Sequence, residues 1–198
     1  MRRAGRPGDG LGIRCDALTV ANFRHRLTRT QQRAYDRSNA VGAVPLRVSP
    51  RCARAVHLLE WALAHGDRPR AQHLAQIICA EVCTALRLPT PRVEVKETRP
   101  SDRRGELHGL YASARRGQVI SVWMYTAKRG QVVAYKTFLR TLVHELGHHL
   151  DYQLLELDDS FHTDGFFRRE SSLVHQLLAA APRAAQPNFT SAIAGGDG

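Results

Sequence analysis

Long hydrophobic runs are missing from this chain. No apolar stretch approaches the roughly 18 residues that a membrane-spanning helix needs, although 43% of the 198 residues are hydrophobic, which is enough for a core. The basic N-terminus is not followed by the apolar segment of roughly 7–15 residues that a secretory signal contains. We therefore expect one domain with tails, no membrane span and a cytoplasmic location.

The chain also lacks closely paired cysteines. No C-x-x-C pair occurs among its four cysteines, which are Cys15, Cys52, Cys79 and Cys83. The last two are four residues apart in a helical pattern, but no other cysteine or histidine pair completes a metal site with them. Buried, reduced thiols are the expected state, which agrees with a reducing cytoplasm.

Acidic residues are scarce at the N-terminal end. Residues 1–54 contain twelve arginines against three aspartates, a balance of +9, and the rest contributes seventeen basic against fifteen acidic residues, or +2. A basic segment can bind nucleic-acid phosphates through counterion release. Residues 1–54 are therefore a candidate contact for DNA, although a solvated, arginine-biased tail would have the same composition. Aromatic residues are too sparse there to indicate a base-stacking surface.

Hydrophobic periodicity predicts the order of the secondary structure. We expect residues 1–50 to form a basic, largely disordered arm, with a short helix possible over 22–35. Residues 51–181 should form the domain and 182–198 a disordered tail. Within the domain, helices are predicted over 51–65, 69–88 and 132–154, with a last helix from 163 or 164 to Pro182. Strands are predicted over 92–97, 106–114 and 118–125, the last two as a hairpin.

The helix predicted over 132–154 contains the pattern H-E-x-x-H. His144 and His148 are four residues apart, so both project from one helix face and can bind one metal ion. Glu145 is rotated by about 100° from His144 and can reach a water on that metal. Two neutral imidazoles beside a carboxylate base are the arrangement of zinc hydrolases. The alternative is a core helix with surface histidines.

A catalytic zinc site needs a third protein ligand. The longer pattern H-E-x-x-H-x-x-G-x-x-H would require glycine at 151 and histidine at 154, and the chain has Asp151 and Leu154. His162 is favoured instead, because it follows His148 by fourteen residues and a loop of this length can bring it back to the metal. Glu170, on the following helix, is the other candidate.

These segments resemble the SprT-like metallopeptidases, the group that includes Spartan. Those proteins combine an H-E-x-x-H helix with a downstream H-G-x-x-F or H-x-x-x-F segment, whose histidine is the third zinc ligand. Here His162 and Phe166 match the second form, and Thr163 replaces the frequent glycine. Residues 109–111, Gly-Leu-Tyr, resemble the strand region of the family. The resemblance covers roughly residues 70–180, and the family's C-terminal zinc ribbon has no counterpart, since no paired cysteines follow residue 83.

The resemblance implies an α+β, zincin-like fold with two N-terminal helices, a small three-stranded sheet, the H-E-x-x-H helix and a C-terminal helix. It also implies a protein or peptide substrate that adds to an edge strand. The expected function is zinc-dependent hydrolysis of peptide bonds: His144, His148 and His162 hold Zn²⁺, and Glu145 is the general base toward the metal-activated water. The alternative is a non-enzymatic module that keeps this scaffold and binds nucleic acid or protein through its basic arm.

Several other residues are candidates for supporting roles. Asp151 shares a helix face with His144 and His148, so it could orient a ligand imidazole, or it could be a solvated acid. His149 is rotated away from that face and is not expected to be a ligand, and His175 is expected to be structural or exposed. The oxyanion of the reaction could be stabilised by Tyr111, Tyr152 or His108.

Overall fold

The computed structural model describes residues 24–103, 105–114 and 117–181. The helices of these residues are α1 (Arg29–Ala40), α2 (Pro50–Ala64), α3 (Arg68–Ala85), α4 (Tyr135–Gln153) and α5 (Asp164–Ala180). The strands are β1 (Arg92–Thr98), β2 (Ser101–Asp102), β3 (Gly105–Glu106), β4 (Gly109–Ala114) and β5 (Gly117–Tyr125). The architecture is α+β with a small three-stranded sheet, as the sequence predicted. The expected disorder of residues 1–23 and 182–198 lies outside the described residues.

The main sheet has the strand order β1-β5-β4. Strand β1 runs parallel to β5, and β4 pairs antiparallel with β5, which confirms the predicted hairpin. The predicted strand 106–114 is divided, because Glu106 pairs with Ser101 in the short β2–β3 ribbon rather than with β5. The side chain of Glu106 accepts hydrogen bonds from the Lys128 backbone and from Arg99, and these bonds hold the ribbon against the loop after β5.

Side chains of α3 close the outer edge of β1. Gln72 donates to the carbonyl of Val93 at 2.5 Å and accepts from the amide of Val95 at 2.6 Å. Gln76 donates to the carbonyl of Pro91 at 3.1 Å and accepts from the amide of Val93 at 2.8 Å. An unpaired strand edge is a template for another strand. The glutamine amides remove that possibility at β1, so among the described residues the sheet edge without a neighbouring strand is β4.

Helix α1 corrects the expectation that residues 1–50 form a largely disordered arm. Thr28 caps it in a capping box with Gln31, so it begins at Arg29, later than the helix considered over 22–35. Its residues Ala34, Tyr35 and Ser38 are buried. Periodicity indicated a helix here only as a possibility, because the apolar side is narrow: Ala34 and Tyr35 are its two buried apolar residues, and Ser38 completes that face.

The core lies between the sheet and the helices, and α4 passes through it. Helix α4 buries a face at helical spacing, and β5 presents alternate residues to it. The buried side chains are Phe138, Leu139, Leu142, Leu146 and Leu150 from α4 and Ile120, Val122 and Met124 from β5. The helix begins at Tyr135 rather than 132, because Val132 bridges to Tyr125 and the Val133 amide donates to the Met124 carbonyl. None of the described helices combines the length and apolar character needed to cross a bilayer.

Candidate metal centre

Three histidines converge at one point between α4 and the loop before α5. His144 and His148 lie one turn apart on α4, and His162 approaches them from the loop. The Nε2 atom of His162 is 3.0 Å from Nε2 of His144 and 3.2 Å from Nε2 of His148. The predicted ligand triad is therefore brought together, and these three residues are close enough to hold a metal ion.

The short nitrogen–nitrogen distances fit a metal site better than a set of hydrogen bonds. A neutral imidazole donates through one nitrogen only, so Nε2 of His162 cannot satisfy both neighbours while their Nδ1 atoms act as donors elsewhere. Two nitrogens at about 2.0–2.1 Å from a tetrahedral ion lie roughly 3.3 Å apart. The observed separations are close to that value, so the cluster has the spacing that one small ion requires.

Phe166 packs against all three imidazoles. Its ring centroid is 5.0 Å from that of His144, 4.9 Å from His148 and 5.2 Å from His162. Gly147 makes this possible, because a Cβ at that position would lie 3.0 Å from the Phe166 ring. Thr163 caps α5 through the amide of Phe166 and so fixes the phenylalanine relative to the preceding histidine. The H-x-x-x-F spacing of the sequence is thus a packing requirement.

The outer nitrogen of His144 is held by Glu170. Its Nδ1–H donates to Oε2 of Glu170 at 2.8 Å, and Arg140 donates to the other carboxylate oxygen at 2.8 Å. Such a partner fixes the tautomer of the ring and leaves the Nε2 lone pair for a metal. Glu170, the alternative third ligand, therefore has a different role: it lies behind His144, on the side opposite the cluster. Its ion pair is with Arg140, not with the adjacent arginines of α5.

The outer nitrogen of His148 begins a chain of hydrogen bonds that ends at a buried ion pair. Its Nδ1–H donates to Oγ of Ser160 at 2.7 Å, and Ser160 donates to Oδ2 of Asp151 at 2.7 Å. Arg169 donates to the second oxygen of Asp151 at 2.6 Å and also to the hydroxyl and carbonyl of Ser38 in α1. Asp151 is therefore connected to His148 through the hydroxyl of Ser160 and makes no direct bond to the imidazole.

Ser160, Arg169 and Ser38 were not singled out from the sequence. Their role depends on a buried ion pair, since the side chain of Asp151 is 0% exposed and that of Arg169 is 3% exposed. A charged side chain is seldom buried unless it is paired. Nothing in the spacing of these residues signals the contacts, because Arg169 joins Asp151 of the preceding helix to Ser38, which is 131 residues away in the chain.

Glu145 lies beside the histidines under the edge of the sheet. It is 7% exposed, and burial raises the pKa of its carboxyl to about 7, while the charge of His144 and a hydrogen bond from the Tyr111 backbone oppose that rise. Gly109 of β4 lies directly on the carboxylate, so that a Cβ there would overlap Oε1 of Glu145. The predicted general base thus contacts the free edge strand of the sheet.

Burial also favours neutral imidazoles in the cluster. It lowers the pKa of His148 to about 3, and the neighbouring charges of His144 and His162 act in the same direction. Loss of solvation also lowers the pKa of His162, although one side of this residue remains open to solvent. A neutral imidazole is the form that binds a metal. Burial of His148 and His162 therefore favours the protonation state that binds a metal.

The other candidate residues are not members of the three-histidine group. Tyr111 directs its hydroxyl to Nδ1 of the buried His149 at 3.2 Å, and His149 donates to the Pro89 carbonyl at 2.7 Å. His149 is not part of the metal-binding group. Tyr152 stacks on Tyr111 with ring centroids 5.9 Å apart. The two tyrosines therefore fasten β4 to α4, and the Tyr111 hydroxyl is already engaged with His149. His108, the third oxyanion candidate, is exposed, and so is His175, which was expected to be structural or exposed.

Comparison of the chain with protein-family models, with curated proteins and with solved structures finds no match. The functional interpretation therefore rests on the sequence pattern and on the geometry of this centre.

Proposed function

We propose that this protein is a zinc-dependent peptidase of the SprT-like kind, with Glu145 as general base. The observation that carries the proposal is the convergence of three imidazole nitrogens beside a buried carboxylate. Within the part of the chain that the structure describes, the group consists of three histidines, and three protein ligands with one open position are the donor set of a catalytic zinc site. A site built only for structural support would have four protein ligands and no need of a base.

The residues divide the chemical work. His144, His148 and His162 would hold the zinc ion, which supplies a Lewis acid and lowers the pKa of water. Glu145 accepts a proton from the attacking water and returns it to the leaving amine. Burial raises the pKa of this carboxyl, and a higher pKa makes a carboxylate a better proton acceptor. The Tyr111 amide and Gly109 keep this carboxylate in place.

The open edge of β4 supports a peptide substrate. An extended chain can add to a free strand edge by backbone hydrogen bonds. The opposite edge, at β1, is already bonded to Gln72 and Gln76, whereas β4 passes over Glu145 at Gly109. A peptide paired with β4 would therefore run past the general base, and its amide bonds would be presented to the histidine cluster.

The non-enzymatic alternative has less support. A scaffold that binds only nucleic acid or protein gains nothing from a buried glutamate with a raised pKa, and such a group costs folding free energy. DNA contact through residues 1–54 is compatible with either function. Within that segment Arg24 is paired with Asp36, whereas Arg33, Arg47 and Arg54 are exposed and make no ion pair with a described residue.

Metal analysis and hydrolysis of a denatured protein substrate together test the proposal. We expect purified protein to contain one equivalent of zinc, His162→Ala to lose it, and the matched control His175→Ala, on the exposed face of α5, to keep it. Glu145→Gln should keep zinc and lose activity by about 10²–10⁴-fold, the usual contribution of a general base. Unchanged hydrolysis by Glu145→Gln would refute the mechanism, and full zinc affinity of His162→Ala would refute the site.

A further inference from the structure

The outer face of the α2–α3 helix pair contains a groove that is separate from the metal centre. The groove encloses about 270 Å³. Its floor is apolar: Leu58 and Ile77 are half-buried and line it, and the buried Ala55 and Leu74 lie beneath them. Its rim is cationic and consists of Arg51, Arg54, Arg70 and His73. The groove therefore combines a shallow apolar strip with positive charge along its rim.

Helical spacing explains why these residues meet. Arg51, Arg54 and Leu58 follow one another at intervals of three and four on α2, so they share one stripe of that helix. On α3, Arg70, Leu74 and Ile77 form the facing stripe. The opposite faces of both helices fill the core, and Leu58 and Ile77 remain half-buried between them. The pair thus offers the ridge-and-groove surface on which a third helix can pack.

The positive charge of the rim is mostly uncompensated. Arg54 and Arg70 make no ion pair with any carboxylate of the described residues, and Arg51 has only a 3.5 Å contact with Glu81, with its side chain 70% exposed. Glu81 also accepts a 2.6 Å hydrogen bond from Ser49. The guanidinium of Arg70 lies 4.9 Å from the ring centre of Trp61, and this contact orients it at one end of the groove.

We propose that this groove docks an amphipathic helix of a partner protein, with apolar side chains on one face and carboxylates on both sides of that face. The apolar floor requires apolar groups from the ligand, and the rim requires negative charge. A helix laid along the 15 residues of α2 would be about 22 Å long, or four turns. Helix-in-groove recognition uses such anchors at every third or fourth position.

A nucleic acid fits these observations less well. Phosphates would pair with the arginines but would leave Leu58 and Ile77 uncovered. The aromatic ring at the end of the groove is already engaged, since Trp61 stacks on His65 with ring centroids 4.0 Å apart and also contacts Arg70. Base stacking needs a free aromatic face. Charge and apolar floor together therefore favour an acidic helix, and this inference does not depend on the proposed peptidase activity.

Fluorescence anisotropy with a synthetic peptide tests the proposal on the full chain. The probe is a labelled peptide of about four turns made of Leu, Ala and Glu, with the leucines on one face, compared with a peptide of the same composition whose leucines are scattered around the helix. We expect the first peptide to bind at least tenfold more tightly than the second. The double variant Arg54→Glu/Arg70→Glu should weaken its binding at least tenfold, and Leu58→Gln should weaken it without a change in charge.

The control variant Arg33→Glu/Arg129→Glu changes the net charge equally at exposed sites outside the groove and should bind as the parent does. Equal weakening by both double variants would show unspecific attraction and overturn the proposal, as would equal binding of the two peptides or an unaffected Leu58→Gln. If oligothymidylate binds and only Arg54→Glu/Arg70→Glu abolishes that binding, while the peptide does not bind, the groove is a nucleic-acid site. Circular dichroism and urea unfolding establish that each variant is folded.

Discussion

Replacing Ser160 with alanine tests how the ligand His148 is oriented. The hydroxyl of Ser160 lies 2.7 Å from Nδ1 of His148 and 2.7 Å from Oδ2 of Asp151, and these are the bonds that Ser160→Ala removes. The backbone of residue 160 stays as it is, and its amide keeps the bond to Asp159. The loop that carries His162 should therefore retain its course, so the change isolates the orienting contact.

The expected loss can be estimated from what each partner retains. Removing a hydrogen-bond partner behind a ligand histidine lowers metal affinity by about 10–100-fold, which corresponds to about 1.4–2.7 kcal/mol. Asp151 keeps its ion pair with Arg169 at 2.6 Å, so the metal-free protein should lose only about 1–3 kcal/mol of unfolding free energy for the missing bond to a buried carboxylate.

Competition with a chromophoric zinc chelator measures the affinity, and urea unfolding of the metal-free protein measures the stability. Ser172→Ala is the matched control: this serine lies on α5, its hydroxyl accepts from Gln176 at 3.2 Å, and it does not touch the histidines. Ser160→Thr, which keeps a hydroxyl, should recover most of the affinity. If Ser160→Ala binds zinc within a factor of two of the parent protein, the chain of hydrogen bonds does not orient His148 and the reasoning is wrong.

Three further predictions concern the buried ion pair, the edge strand and the thiols. Asp151→Asn leaves the charge of Arg169 buried and unpaired, so the unfolding free energy of the metal-free protein should fall by about 3–5 kcal/mol; a loss below about 1 kcal/mol would contradict a buried charge pair. Gly109→Ala places a Cβ against the Glu145 carboxylate, and we expect hydrolysis to fall at least tenfold with zinc content unchanged; normal activity would separate β4 from the site. Cys52, Cys79 and Cys83 are buried, and burial raises the pKa of their thiols, to about 11 for Cys52. A thiol reagent should therefore label the native protein at Cys15 at most and should label the other three only after unfolding. Rapid labelling of a native Cys15→Ser variant would contradict their burial.

The sequence was sufficient wherever a signal is local. Helical periodicity predicted four of the helices of the described residues, and alternation predicted the strands of the main sheet. The three-histidine group could be predicted because the H-E-x-x-H spacing places two of its members on one face of a helix. His162 needed only a loop of suitable length and the phenylalanine four residues later, whose ring packs on the histidines in the structure.

Other features depend on contacts between distant segments, for which the sequence carries no pattern. Helix α1 has a weak apolar face, and it is held by polar contacts: Arg169 bonds to Ser38, and the amide of Gly165 donates to Asn39 at 2.9 Å. The closed edge at β1 depends on two glutamines that would read as ordinary surface residues of α3. Burial of such groups is favourable only when each meets its hydrogen-bond partner.

The amino-acid sequence by itself determined which residues could bind a metal and which could act as a base, because those properties follow from residue type and from the 3.6-residue period of one helix. Only the tertiary structure decided which side chains contact these histidines and Glu145. It placed Glu170 behind His144 instead of among the ligands, connected Asp151 to His148 through Ser160, and set β4 over Glu145. These are buried polar contacts between elements far apart in the chain, and their partners are fixed only when the core has packed.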